Sequence, residues 1–299
     1  MTRRLMICLV TGALAASGVA LGAKSPGRLL GAPATLGDGT VTSFAELDGK
    51  GAPRAVGVEI SAAAMAVLPT APSDGHHCVD ANKDGTIDLA TECAAWHERI
   101  LPIPTELSRR ADMPFKWVLF NWNPRGHMPP GVFDVPHFDI HYYIEPIENI
   151  FALERGDCGP EFTRCDQYAV ACKPVPSNYL PANYLDLGIV APAMGKHLID
   201  PMNHNFHGEP FQRHWVYGTW DGRVAFWEEM TARSYLLTKP STCYPIQVPE
   251  AVAIAGYYPT QSCIRYLPGR DVYAISVEGF VSRPASPPGP LREARKAAP

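Results

Sequence analysis

The chain has 299 residues, of which 46% are hydrophobic and 19% charged, so it can bury a substantial core, and this composition argues against global disorder. Its formal net charge of −4 gives no basis for nucleic-acid binding. The 30 prolines and 25 glycines favour many short elements joined by turns, and therefore a β-rich fold rather than a helix bundle.

The N-terminus has the pattern of a signal peptide. Arg3 and Arg4 precede an apolar run of small residues from Leu5 to about Ala23, where charge resumes. A retained anchor helix is the alternative, although the run is near the lower length limit for spanning a bilayer. We predict that residues 1–23 are a signal peptide and that the protein is exported to the periplasm or the extracellular space. No later segment is long and apolar enough for stable membrane insertion.

The cysteines are consistent with export, because disulfides persist in oxidising compartments. Cys8 leaves with the signal peptide. Seven cysteines remain: Cys78, Cys93, Cys158, Cys165, Cys172, Cys243 and Cys263. We predict local disulfides Cys78–Cys93 and Cys243–Cys263, and a third within the middle three cysteines that leaves one thiol free, although sequence does not determine connectivity. Zinc binding by cysteines is disfavoured, since no close Cys-x-x-Cys pair occurs.

The first predicted elements after the signal peptide are a hairpin and a short helix. Residues 37–61 contain two β-prone runs that flank the turn-forming sequence LDGKGAP. Ser61 is a helix N-cap residue, and residues 61–68 form the helix. Residues 70–112 then change character, and we expect an insertion in which an acidic loop is followed by a helical stretch through ATECAAWHERIL.

The acidic loop follows the spacing of a calcium loop of the EF-hand type, in which alternate oxygen ligands converge on a hard cation. Its candidate calcium ligands are Asp80, Asn82, Asp84, Thr86 through its carbonyl, Asp88 and Glu92. Gly85 permits the sharp bend. Position 12 is Thr91 instead of the usual glutamate, which leaves affinity and coordination number open. We predict a weakly held structural calcium ion, and a solvated turn is the alternative.

The sequence PHFDIHYYI, residues 136–144, predicts a strand with two different faces. One face is apolar: Phe138, Ile140, Tyr142 and Ile144. The other face carries His137, Asp139 and His141, which are ligand types for zinc, manganese, non-haem iron or copper. The two histidines would be about 13 Å apart along an ideal strand, too far to bind one ion together. Unless the strand bends or bulges, Asp139 would therefore share an ion with one of them, and His197 or His127 together with Glu228 would complete the site.

Residues 213–230, RHWVYGTWDGRVAFWEEM, predict a second hairpin with Asp221-Gly222 as its turn. Pairing outward from that turn places Trp215 opposite Glu228 and His214 opposite Glu229. Glu228 then shares a face with aromatic and apolar residues: Trp215, Tyr217, Val224 and Phe226. A carboxylate in such surroundings needs a cation, a metal or a proton.

The histidine-rich region resembles a family of uncharacterised, mostly exported bacterial proteins with a domain of unknown function. The family motifs are similar to WNPxGHxPPGxYDxPHFDFHFY, PGMGxHWxD and YGxxDGxVxFYEPM, and the counterparts here are WNPRGHMPPGVFDVPHFDIHYYI, PAMGKHLID and YGTWDGRVAFWEEM. The resemblance covers about residues 29–280, with the acidic loop as an insertion. It implies that His127 and His197 also belong to the motif positions. It implies no reaction, because the family is functionally undefined.

These observations predict one mainly β domain over residues 29–282, a barrel or a sandwich, with a disordered tail at 283–299. We expect a metal-binding protein or a metalloenzyme that acts on a small molecule. The candidate transition-metal ligands are His137, Asp139, His141, His197 and Glu228. His127 would lie at the mouth as an acid–base group or a further ligand. The alternatives are a metal-free acid–base pocket and a non-catalytic secreted protein in which these residues form a buried polar network.

Overall fold

The computed structural model describes residues 27–292, so the predicted signal peptide and residues 293–299 lie outside the described range. Within that range the fold is mainly β, as predicted, and consists of three antiparallel sheets with a few short helices. The two large sheets form an open sandwich instead of a closed barrel. No helix of the described residues is long and apolar enough to cross a bilayer.

Sixteen strands and five α-helices are present in residues 27–292. The strands are β1 (Arg28–Leu36), β2 (Gly39–Leu47), β3 (Pro53–Ser61), β4 (His97–Pro102), β5 (Trp117–Asn123), β6 (His137–Tyr143), β7 (Arg155–Cys158), β8 (Leu185–Ala191), β9 (Gly195–Ile199), β10 (Arg213–Trp220), β11 (Arg223–Ala232), β12 (Ser241–Pro245), β13 (Gly256–Tyr258), β14 (Gln261–Leu267), β15 (Val272–Glu278) and β16 (Val281–Arg283). The helices are α1 (Ala62–Ala66), α2 (Thr105–Ser108), α3 (Ile147–Phe151), α4 (Cys165–Ala171) and α5 (Arg233–Leu237).

The first large sheet has the strand order β1-β2-β3-β15-β14-β12, and the second has the order β4-β5-β6-β11-β10-β9-β8. Their facing sides enclose the main hydrophobic core, to which the first sheet contributes Val58 and Ile275 and the second contributes Phe120 and Ile140. The hydroxyl of Tyr142 donates a hydrogen bond of 3.3 Å to the carbonyl of Ile275 and thereby joins the two sheets. The second sheet is thus fixed on the first by apolar packing and by a polar contact.

The outer face of the second sheet is also covered. Ile150 of α3 and Leu153 just after it pack there with Phe133 and Phe211 from two loops, and together with side chains of the sheet they form a second apolar cluster. As a result every residue of β6 is buried. The polar side chains of this strand therefore face a space lined by protein and not the bulk solvent.

Two of the predicted N-terminal elements are confirmed and one is wrong. The hairpin is β2–β3, and α1 is capped by Ser61, whose side-chain oxygen accepts the N–H of Ala64. The stretch ATECAAWHERIL is not a helix. It forms a turn followed by β4, which pairs with the edge of β5 through Arg99 and Phe120. The open backbone groups of β5 offered better partners than the intrinsic helix preference of the segment.

The disulfide predictions are confirmed for the described cysteines. Cys78–Cys93 and Cys243–Cys263 are bonded, and Cys158–Cys165 is the third pair. Cys172 is the free thiol of the described residues. Cys8 lies outside the described range.

Residues 283–292 differ from the prediction of a disordered tail. Residues Val281–Arg283 form β16, and the following segment runs along residues 175–178 of the domain. The N–H of Ser177 donates to the carbonyl of Pro290 at 2.8 Å, and the N–H of Arg292 donates to that of Val175 at 2.9 Å. Backbone hydrogen bonds place this segment, which explains why apolar periodicity did not reveal it.

The hairpin β10–β11 has the predicted turn, with Trp220 opposite Arg223, but its register shifts by one residue between Gly218 and Thr219. Beyond the shift Glu228 lies opposite Val216, not Trp215. Because successive side chains of a strand alternate, the bulge separates Glu228 from most of its predicted neighbours, and Phe226 alone stays on its face.

The consequence is that Glu228 and Glu229 exchange surroundings relative to the prediction. Trp215, Tyr217 and Val224 pack in the core between the sheets, on the face of Glu229. Glu229 does not pair with His214. Its two carboxylate oxygens accept hydrogen bonds of 2.9 and 2.6 Å from Arg213. Glu228 instead lies on the outer face of the sheet.

Gly218 is the residue that permits this arrangement. The ring of Phe226 lies across it, so an added Cβ would be 1.9 Å from a ring carbon. Phe226 in turn packs against His141 and His197, with ring centroids 4.9 and 5.0 Å apart.

We expect Gly218→Ala to lower the free energy of unfolding by about 1–3 kcal/mol, because the ring of Phe226 must move. Gly269→Ala is the matched control, since a Cβ there meets no described atom within 4 Å. Chemical denaturation of both variants provides the comparison. Equal stability of the two variants would contradict the packing of Phe226 on Gly218.

Candidate metal centre

Six polar residues that the sequence analysis singled out meet on the outer face of the second sheet. They are His127 in the loop before β6, His137, Asp139 and His141 on β6, His197 on β9 and Glu228 on β11. The register of β11 with β6 places Glu228 directly opposite His141. Strand pairing over most of the sheet, and not proximity in sequence, therefore assembles the site.

The six residues divide into two groups of three, each of which could hold a metal ion. The Asp139 group consists of His127, His137 and Asp139, and the Glu228 group consists of His141, His197 and Glu228. Within each group one ligand atom from every residue lies within 4.8 Å of the others. His137 and His141 belong to different groups, as the spacing along the strand predicted. Of the two possible partners of Asp139, the structure places His137 with it, and His141 lies with Glu228 instead. Cys243, Cys263 and Glu278 also lie close together. We do not regard them as a metal site, because the two cysteines are joined in a disulfide.

The imidazole and carboxylate groups approach closely without hydrogen bonding to each other. In the Glu228 group the Nε2 atoms of His141 and His197 lie 3.4 and 3.8 Å from the two carboxylate oxygens. In the Asp139 group the Nε2 atoms of His137 and His127 lie 3.2 and 3.4 Å from the carboxylate oxygens.

The other nitrogen of each ring explains why these contacts are unusual. Each Nδ1 atom faces a backbone carbonyl, at 2.7 Å for His127 and His137, 3.2 Å for His141 and 3.1 Å for His197. A carbonyl only accepts, so Nδ1 carries the hydrogen, and in the neutral ring Nε2 presents a lone pair. Where a ring is neutral, its Nε2 lone pair thus faces a carboxyl oxygen, which is an acceptor as well when the carboxyl is ionised.

Several of these facing atoms are buried and have no hydrogen-bond partner within residues 27–292. They are Nε2 of His137, Oδ1 of Asp139, Nε2 of His141 and Oε2 of Glu228. Each unsatisfied buried polar atom costs about 1–3 kcal/mol. Only a bound cation or additional protons can resolve a contact between two acceptors.

The Glu228 group holds little charge when no metal is bound. Burial lowers the pKa of His141 to about 4, and burial together with the neighbouring His141 and His127 lowers that of His197 to about 3. Burial raises the pKa of Glu228 well above its ordinary value, and the nearby Asp139 adds to this effect. Two neutral imidazoles are therefore available as ligands beside a carboxyl group that needs a cation to ionise.

The Asp139 group is electrostatically different. Burial disfavours ionised Asp139, yet His137 and His127 hold its pKa well below the ordinary value. Burial alone would lower the pKa of His127, but Asp139 outweighs this effect and raises it to about 9. Asp139 is also held by Asn123, whose side-chain amide donates to Oδ2 at 2.7 Å.

Some supporting residues were missed by sequence reasoning. Asn123 lies in the motif WNPRGH and faces the site because it pairs with His137 across the strands. Gly126 precedes His127 with a φ of +69°, and an added Cβ would be 2.1 Å from the carbonyl oxygen of Phe133. The glycine in WNPRGH could have indicated this close approach. Nothing in the local sequence pattern indicated Phe226 as a support for the histidines.

A small cavity of about 50 Å³ connects the two groups. Both carboxylates line it, as do His127 and His197, and most of the remaining wall is apolar. Three methionines contribute to that wall: Met128, Met194 and Met230. Glu161, another residue that the sequence did not suggest, also reaches the cavity, and burial raises its pKa.

The remaining histidines contact other partners. His214 is buried, and its ring nitrogens contact the side-chain oxygen of Asn205 and the N–H of Asp200. His77 contacts Glu98 at 2.8 Å, beside the acidic loop. His204, with its side chain 81% exposed, lies 3.5 Å from Glu209.

In the acidic loop, the candidate ligands are engaged with the backbone. Asp80 accepts the N–H groups of Asp84 and Gly85, at 3.2 and 2.9 Å. Glu92 is buried, and its carboxylate accepts from Ala81, Asn82 and Asp88. The carboxylates of this loop are not among the described groups that converge as a metal site. Glu92 thus supports the loop from inside, and calcium binding stays a prediction.

Comparison with known proteins returns no match, either to protein-family models, to curated proteins or to solved structures. The resemblance to the uncharacterised exported family stays a prediction.

The two adjacent glutamates provide a matched test of the site. We expect Glu229→Gln to destabilise the protein by about 3 kcal/mol or more, because it breaks a buried ion pair with Arg213. Glu228→Gln should leave the stability of the metal-free protein unchanged or slightly raised, because this carboxyl has no buried cation to lose. Urea denaturation with chelator present measures both. A loss of stability in Glu228→Gln as large as in Glu229→Gln would assign Glu228 to a structural network.

The calcium prediction is tested by thermal unfolding with and without Ca²⁺. If the loop binds the ion, saturation to about 100 times the dissociation constant stabilises the fold by about 2.7 kcal/mol. Asp80→Ala should abolish that gain, whereas Asp38→Ala, in the turn between β1 and β2, should retain it. No shift in the wild-type transition at millimolar Ca²⁺ would contradict the prediction.

Proposed function

We propose that the protein binds a divalent transition-metal ion at the Glu228 group and is a metalloenzyme that acts on a small molecule. The observation that carries this proposal is the convergence of two imidazole nitrogens on one carboxyl group without a hydrogen bond between them. In a tetrahedral site with bonds of 2.0–2.2 Å, neighbouring ligand atoms lie about 3.3–3.6 Å apart. The corresponding separations here are 3.4 and 3.8 Å, and neither contact is a hydrogen bond.

The composition of the group supports a catalytic ion more than a structural one. Two histidines and one carboxylate are the protein ligands of many zinc enzymes and of non-haem iron enzymes, in which at least one coordination position stays open. Glu228 and His197 both line the cavity, so an ion bound between them would face that space. A metal ion supplies Lewis acidity and lowers the pKa of bound water.

The chain also supplies an oriented shell around the ion. The carbonyls of Leu119 and Gly195 hold the rings of His141 and His197 in the tautomer that leaves Nε2 free. Such outer contacts fix the direction of a ligand and raise its basicity. Phe226 packs on both rings and restricts their rotation.

The size of the cavity supports a small substrate. The cavity of about 50 Å³ is much smaller than the roughly 300–1,000 Å³ of sites that take drug-sized ligands. The largely apolar wall would exclude further water from the ion. We propose as substrate either a very small molecule or the reacting end of a larger one.

The export proposal has separate support. The N-terminal pattern is that of a signal peptide, and three disulfides are present among the described residues. Disulfides of this number are characteristic of proteins in oxidising compartments.

The rival function is a non-catalytic binding or structural protein in which the same residues form a polar network. A stabilising network satisfies its buried donors and acceptors. The unpartnered nitrogen of His141 and oxygen of Glu228 favour the metal over the network.

The experiment is metal analysis of protein purified without added metal and then reconstituted with Zn²⁺, Mn²⁺, Fe²⁺ or Cu²⁺. We expect at least one tightly bound ion per chain, with one ion fewer than the wild type in His197→Ala and in Glu228→Gln. His204→Ala is the control, because that ring is exposed and belongs to neither group. Absence of stoichiometric metal, together with an unfolding temperature that chelator does not change, would contradict the proposed function.

A further inference from the structure

We infer that the Asp139 group holds a second divalent metal ion, so that β6 carries a two-ion centre. The inference rests on the proposed ion at the Glu228 group, and it assigns His127 as a ligand. The supporting observations are the contact distances and the unpartnered atoms of the Asp139 group itself.

The Asp139 group contains buried polar atoms that no described residue satisfies. Oδ2 of Asp139 accepts from Asn123 and lies 3.4 Å from Nε2 of His127. Oδ1 of Asp139 faces Nε2 of His137 at 3.2 Å, and both atoms are buried without a hydrogen-bond partner among the described residues. The Nδ1 hydrogen of His137 is already used by the carbonyl of Val135. One cation between the three side chains satisfies all of these acceptors together.

The distances of the group fit such a cation. The contacts of 3.2 and 3.4 Å between imidazole nitrogens and carboxylate oxygens are close to the separation of about 3.3–3.6 Å that tetrahedral ligands show. Neither contact has hydrogen-bond geometry. The rings of His127 and His137 are nearly perpendicular, with centroids 4.6 Å apart, so both nitrogens can approach a common point.

The surroundings hold the three ligands in place. The side-chain amide of Asn123 donates a hydrogen bond to the carboxylate of Asp139. Hydrogen bonds of this kind orient the ligands of metal sites. The loop of His127 is tied by the hydrogen bond from its N–H to the carbonyl of Phe133, at 3.1 Å. The side chain of His127 is 27% exposed, whereas that of His137 is fully buried, so His127 marks the side from which an ion would reach the group.

The two ions would be separate but would face the same cavity. Asp139 and His141 are two positions apart on one strand face, which corresponds to about 6.6 Å. Bridged two-metal sites have ions about 3.5–4 Å apart, so these ions would not share one bridging oxygen. Asp139 and Glu228 both line the cavity, and each would have its own cation. The matching ligand sets, two imidazoles and a carboxylate, suit the same metal at both positions.

The test counts bound zinc per chain after full-length protein is loaded with Zn²⁺ and desalted. We expect two ions in the wild type, one in His127→Ala, one in His197→Ala and none in the double variant. His204→Ala should retain two. Near-ultraviolet circular dichroism confirms that each variant is folded, and His127→Gln replaces His127→Ala if the latter is not.

The outcomes separate this inference from the proposed function. One zinc in the wild type that persists in His127→Ala and disappears in His197→Ala overturns the second ion and leaves the first. Two zinc ions in His127→Ala, or none, also overturn the inference, because the groups would then not bind independently through the residues named. No zinc in the wild type overturns the second ion, and it overturns the first ion as well if Mn²⁺, Fe²⁺ and Cu²⁺ do not bind either.

Discussion

Burial of both faces of β6 is the constraint on which the rest of the structure depends. One face supplies Phe138, Ile140 and Tyr142 to the core between the sheets, and the opposite face carries His137, Asp139 and His141 under a cover of loops and short helices. Such a strand cannot expose its polar side chains to water. Their hydrogen-bonding and electrostatic requirements have to be met inside the protein, which is why the site is informative about function.

The requirement that stays unmet is a partner for the buried imidazole and carboxyl atoms that face each other. Backbone carbonyls take the Nδ1 hydrogens of four histidines, so in a neutral ring the opposite nitrogen presents a lone pair to Asp139 or Glu228. In a purely structural network at least some of these contacts would be hydrogen bonds. Because the ligand atoms are already oriented by their outer contacts, binding an ion would require little rearrangement, which is the arrangement that preorganised metal sites show.

Sequence reasoning identified the faces of β6, the Asp221-Gly222 turn, the two local disulfides and all six residues of the site. Each of these follows from a local pattern: alternation, turn chemistry, cysteine spacing or a motif. It could not predict that one extra residue beside Gly218 moves Glu228 away from Trp215, because a bulge depends on how Phe226 packs across the strand. The partner of Asp139 was left open because a histidine lies two positions away on either side of it. The segment of β4 was predicted as a helix, because its pairing with β5 is a tertiary contact that local sequence does not show.

Binding of an ion by the Glu228 group is tested most directly by anomalous X-ray diffraction from crystals of the metal-loaded protein at the absorption edge of that metal. We expect an anomalous peak among His141, His197 and Glu228, within about 2.0–2.2 Å of a ligand atom of each. Fully loaded crystals with no peak there, and with Glu228 hydrogen-bonded to one of the two histidines, would contradict it.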